Sequence, residues 1–177
     1  MDASQPTTVI IVFSRSGHAR RIAEKLAHAL NARVIILNAP AYNGLQGYLH
    51  AGSDSLKQTR AVSPQSFTTL ADYDRVVLCG PVWTFDPALP LRDFPRSDIP
   101  LPRSVSLFLT SGSPPLADKA FDLAKADLGR PLTAMASLSN GEEPSTTEDR
   151  IIETVVKDRE SAESNQADPA FVRRHAR

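Results

Sequence analysis

The stretch VIIVFSRSGHARRIAEKLAHAL, Val9 to Leu30, decides how this chain folds. Val9 to Phe13 is a continuous apolar run rich in β-branched side chains, the pattern of a strand buried on both faces. From Gly17 the period changes. Ile22, Leu26 and Leu30 recur at helical spacing with Ala23 and Ala27 beside them, which predicts a helix turning one stripe toward a sheet. Between strand and helix lies Ser14-Arg-Ser-Gly-His-Ala19. Such a turn presents unpaired N–H groups and the positive end of a helix dipole, so it suits a phosphate. Gly17 lets a backbone approach closely, Ser14 and Ser16 offer hydroxyls, and Arg15, His18, Arg20 and Arg21 add local positive charge. The plainer reading is a strand-to-helix turn capped by Ser16. The Gly-Lys-Ser/Thr ending of a nucleoside-triphosphate loop is absent, as is G-x-G-x-x-G. Ala19 stands where a good phosphate cradle would carry a hydroxyl.

The same alternation continues along the chain. Arg33–Leu37 and Arg75–Cys79 read as a second and third buried strand, Ser104–Leu109 as a fourth, and Leu132–Leu138 as a weaker fifth. Leu116, Ala120, Leu123, Ala124 and Leu128 mark a helix that Gly129 stops. Ser145-Thr-Thr-Glu148 fits a capping box ahead of Ile151, Ile152, Val155 and Val156. A helical piece is expected around Gly47 to Thr59. Short apolar strands alternating with helices predict an α/β domain with a parallel sheet covered on both faces. The expected extent is residues 1–164, followed by a polar tail over 165–177, the chain being polar from about Ser161.

Bulk composition narrows the function. The chain has 177 residues, and 41% hydrophobic content supplies a sizeable core. Lys plus Arg and Asp plus Glu are 20 each, so zero net charge gives no global pull toward nucleic acid or an anionic membrane. The single cysteine, Cys79, cannot form an intramolecular disulfide, and its apolar context reads as a packed core thiol. No run approaches the roughly 20 apolar residues that span a bilayer. MDASQPTT lacks the regions of a signal peptide, so a cytoplasmic protein is expected.

Ligands of open α/β sheets bind outside the carboxyl ends of the strands, where the winding direction reverses. The loops to inspect are therefore SRSGHA, GPVWTFDP and TSGSPP. The second is too rich in proline for regular structure at its start. It offers Trp83 and Phe85 to a flat ring, and Asp86 as either a polar contact or the start of a turn. The third offers Thr110, Ser111 and Gly112, or simply a turn with Ser113 as the helix cap ahead of Pro114. No metal-ligating cluster and no acid, base or nucleophile constellation stands out.

Over roughly residues 8–160 the chain resembles the flavodoxin-like FMN proteins. Three segments carry the resemblance: VFSRSGHARRIAEKLA, YDRVVLCGPVWTFDPALPLRDF and LFLTSGS. GYLHAGSDSLK further resembles the small flavodoxin-like branch that is not dedicated to electron carriage. The resemblance implies a three-layer sandwich with a five-stranded parallel sheet in the order 2-1-3-4-5. It implies an FMN phosphate held by Ser14, Arg15, Ser16 and Gly17 with the N–H groups of His18 and Ala19. It implies an isoalloxazine ring bordered by Pro81, Val82, Trp83, Thr84 and Phe85, its polar edge met by Thr110, Ser111 and Gly112. The family's loop usually runs Thr/Ser-x-Thr-Gly-Asn-Thr, so His18 and Ala19 depart from it. A lost hydrogen bond to a charged group costs about 1.5–3 kcal/mol, and Ala19→Thr is expected to tighten FMN binding. The activity implied is oxidoreduction between NAD(P)H and a quinone or other small acceptor, with a homodimer as a means of completing the site. A flavodoxin-type electron carrier, and a binding module that has lost FMN, are the alternatives.

Overall fold

The structure, a computed structural model, describes residues 7–39, 70–96, 99–112, 117–139 and 148–157. Five strands run parallel: β1 (Thr8–Val12), β2 (Arg33–Ile36), β3 (Arg75–Trp83), β5 (Ser104–Ser111) and β6 (Met135–Ser139). Their spatial order is β2-β1-β3-β5-β6, which is the expected 2-1-3-4-5 winding. A sixth strand, β4 (Asp86–Pro87), folds back antiparallel onto the end of β3. The helices are α1 (His18–Leu30), α2 (Leu89–Asp93), α3 (Ala117–Leu128) and α4 (residues 148–157).

Side chains alternating along β1 divide the core in two. Ile10 and Val12 join Ile22, Leu26, Cys79, Phe108, Ile152 and Val155 under α1 and α4. Val9, Ile11 and Phe13 join Leu78, Leu89, Leu91, Leu107, Ala120 and Phe121 under α2 and α3. This period-two division is what places helices on both faces.

The sequence expectations hold for α1, whose buried face is Ala19, Ile22, Ala23, Leu26 and Leu30. They hold too at the end of α3, where Gly129 takes φ 66° and donates its N–H to Lys125 O. Other expectations are corrected. None of the four β2 residues is buried, because β2 stands at the edge of the sheet. Strand β3 does not end at Cys79 but continues through Gly80 and Pro81 to Trp83, since Pro81 needs no N–H there and its carbonyl accepts from Ala88. Glu148, the acid of the expected capping box, reaches beyond its own helix. It is fully buried and accepts from Arg21 at 2.8 and 2.7 Å and from Lys25, tying α4 to α1. Gly47–Thr59, Ser113, Ser145 and residues 158–177 lie outside the described residues.

Candidate functional site

The winding reverses between β1 and β3. From β1 the chain crosses through α1 to β2 on one side, while β3 opens the run toward β5 and β6 on the other. The carboxyl ends of β1, β3 and β5 are brought together there. Val12 pairs with Cys79, Phe13 N–H donates to Cys79 O at 3.0 Å, and Pro81 pairs with Thr110.

The first loop makes a tight turn into α1. Gly17 is the N-cap residue at φ 93°, a conformation that disfavours any side chain, and open space lies where its Cβ would be. Ser16 does not cap the helix. Instead Gly17 N–H donates to Ser14 Oγ at 3.1 Å. No side-chain hydrogen bond caps the start of α1, and Arg15, Ser16, Gly17 and His18 are all exposed. Two of the cations that sequence reasoning offered to an anion are engaged along the helix: Arg20 with Glu24 at 2.9 Å and Arg21 with Glu148.

Ala19 is only 2% exposed. It packs in the cluster of Ile10, Val12, Ile22 and Cys79, and its carbonyl accepts from Cys79 Sγ at 3.5 Å. The position that looked like a missing phosphate ligand is a core position beside a buried thiol. Burial pushes the Cys79 thiol up to about 12, so it is inert as a nucleophile at neutral pH.

The second loop is a hairpin. Val82 pairs with Pro87 and Trp83 with Asp86, leaving Thr84 and Phe85 as a two-residue connection. Both take positive φ, 50° and 71°, as a type I′ turn requires. Asparagine and glycine fill such turns at little cost. A β-branched and a bulky residue there carry strain of about 1–2 kcal/mol each. The Trp83 ring packs edge-on against buried Phe13, with centroids 5.3 Å apart and planes at 88°, which joins the second loop to the first. Phe85 stands 49% exposed at the tip, with Lys119 Nζ 5.6 Å from its ring centroid.

Asp86 is buried, and its carboxylate faces Arg92 at 3.5 Å rather than an open ligand site. Arg92, 2% exposed, donates to Asp127 at 2.6 and 3.1 Å, and Arg96 joins the same carboxylate at 2.7 and 2.9 Å. Sequence reasoning missed this network. Arg92 and Asp127 are 35 residues apart, and only their helical neighbours hint that both face inward.

Thr110 and Ser111 are not loop residues but the last two of β5. They are buried and paired with Leu138 and Ser139. Gly112 follows as an exposed bend with open space where its Cβ would be. The three segments thus combine an open glycine turn at a helix N-terminus, an aromatic hairpin and a hydroxyl-bearing strand end. Those features fit a ligand with a phosphate at one end and a flat ring at the other. Among the described residues there is no group of three His, Cys, Asp or Glu placed to hold a metal ion, and no helix long and apolar enough to cross a membrane.

This winding order, with its switch point between β1 and β3, is the flavodoxin-like form of the doubly wound sheet. Solved structures share it. A candidate flavoprotein from Bacteroides uniformis superposes with a TM-score of 0.69 at 20% identity, covering 84% of this chain and 97% of that one. A flavoprotein from Lactobacillus acidophilus in complex with FMN gives 0.62 at 17% identity, covering 75% and 93%. An NAD(P)H:quinone oxidoreductase from Methanothermobacter marburgensis gives 0.50 at 13%, covering 93% and 98%. No family model and no curated sequence matches the chain. The likeness establishes a flavodoxin-like fold.

Proposed function

We propose that the chain binds FMN across the carboxyl ends of β1, β3 and β5 and acts as a flavodoxin-like oxidoreductase, moving electrons between NAD(P)H and a quinone or other small acceptor. The observation that carries this reading is the convergence of three unlike segments at the switch point, joined by the Phe13–Trp83 contact and the Pro81–Thr110 pair. The FMN complex and the NAD(P)H:quinone oxidoreductase among the structural neighbours support the cofactor and the reaction class.

In this reading Ser14, Arg15, Ser16 and Gly17, with the N–H groups of His18 and Ala19, receive the phosphate. Pro81, Val82, Trp83, Thr84 and Phe85 border the ring, and Thr110, Ser111 and Gly112 meet its polar edge. Bound flavin supplies the electron or hydride chemistry, and the protein binds, orients and shields it. This division of labour suits a site whose described residues show no acid–base pair. FMN-loaded protein that oxidises NADH or NADPH with a quinone present identifies the enzyme. FMN-loaded protein that oxidises neither, but accepts electrons from a chemical reductant, is a carrier.

A further inference from the structure

The Thr84–Phe85 turn is held in an unusual way. Its two residues sit at positive φ without a glycine or asparagine between them. The hairpin behind it has only two residue pairs, and one of these contains Pro87, which has no N–H to donate. What the backbone does not supply, a buried run of charges does. Asp86, the residue after the turn, faces Arg92 of α2, and Arg92 is clamped by Asp127 of α3, which Arg96 also binds. A well-packed apolar cluster would stabilise this region as well or better than buried ion pairs, so stability alone does not account for them. Ion pairs fix direction and distance in a way that apolar packing does not.

We propose that the Asp86–Arg92–Asp127 chain is a clamp that holds the strained hairpin in register against α2 and α3, so that Trp83 and Phe85 stay placed for an aromatic ring ligand. Asp86 and Arg92 are positioning residues of the ring half of the site. The proposal rests on reading that half as a flavin site, but the clamp itself can be tested without flavin.

Trp83 is the chain's single tryptophan, so emission excited selectively over the three tyrosines reports on this hairpin alone. The experiment compares wild type, Arg92→Met and Asp86→Asn. Acrylamide quenching of Trp83 is measured in the flavin-free proteins at a temperature where each is folded by circular dichroism. Riboflavin, which has the ring without the phosphate, and inorganic phosphate are then titrated separately. The clamp predicts at least a twofold rise in the quenching constant for both variants. It predicts about tenfold weaker riboflavin binding, with the phosphate affinity unchanged within twofold. Folded variants with wild-type quenching and wild-type riboflavin affinity overturn it. If Arg92→Met does not fold, Asp86→Asn decides, because it leaves the Arg92–Asp127–Arg96 contacts in place. A wild-type protein that binds neither riboflavin nor FMN removes the flavin reading, and the quenching comparison still decides the clamp.

Discussion

Ala19 shows how one position changes meaning between sequence and structure. In the sequence it reads as a phosphate ligand without its hydroxyl. In the fold its methyl lies in the cluster with Ile10, Val12 and Cys79. Ala19→Thr therefore forces a methyl and a hydroxyl into a packed layer, at a cost of about 1–3 kcal/mol. We expect urea unfolding to show that loss, with FMN affinity changed less than threefold. A tenfold tightening would mean that the side chain does face the phosphate. Gly80 is constrained from the opposite direction. A Cβ there would lie 2.4 Å from Leu91 Cδ1 and 3.0 Å from the Phe13 carbonyl, and Leu91 is itself buried. Gly80→Ala must turn the Leu91 side chain from its packed position and crowd the Phe13 carbonyl at the end of β1. It is expected to cost about 1–3 kcal/mol and to disturb the Phe13–Trp83 contact, seen as a changed near-ultraviolet circular dichroism of Trp83.

At the scale of elements, helix α4 depends on one buried carboxylate. Hydrogen bonds from Arg21 hold Glu148 well below its usual range, at about 2; burial opposes the shift and Lys25 adds to it. A folded-state value below the unfolded value of 4.5 means that this stabilisation is complete above pH 4.5 and is lost as pH falls toward 2. Its size is on the order of 2–3 kcal/mol, because both cations are partly exposed and screened. Acid titration of stability should show this slope in wild type and a flatter one in Glu148→Gln, which is already less stable at pH 7. Equal slopes would remove Glu148 from the account. Element periodicity made β1, α1, β5 and α3 legible in advance, since their apolar positions repeat within one segment. The hairpin was not legible. Its turn residues carry none of the asparagine or glycine that normally marks a type I′ connection, and prolines on either side read as irregular chain. The exposure of β2 was not legible in its own residues, because an apolar run such as Val34–Leu37 does not tell how many neighbours a strand will have; only the expected order 2-1-3-4-5 placed it at the edge. The partners of Glu148 and Asp127 escaped for a related reason: ion pairs closing over 127 and 35 residues leave no local pattern.

At the scale of the molecule, topology brings the chemistry together. Loops far apart in sequence meet because β1 and β3 are neighbours while the chain winds away from them in opposite directions. The candidate site was therefore visible in outline as three loops at strand ends, whereas its contacts, with Thr110 and Ser111 inside β5 and Asp86 turned away toward Arg92, became visible only once the strands were paired. Zero net charge leaves recognition to this local arrangement rather than to a global field. An equilibrium titration of the purified protein with FMN, following flavin fluorescence and Trp83 emission together, tests this most directly. An FMN site across these three segments gives saturable one-to-one binding at micromolar or lower concentration, with both signals quenched along one curve and flavin binding weakened in Trp83→Ala. Flavin fluorescence that stays unquenched at micromolar protein would contradict it.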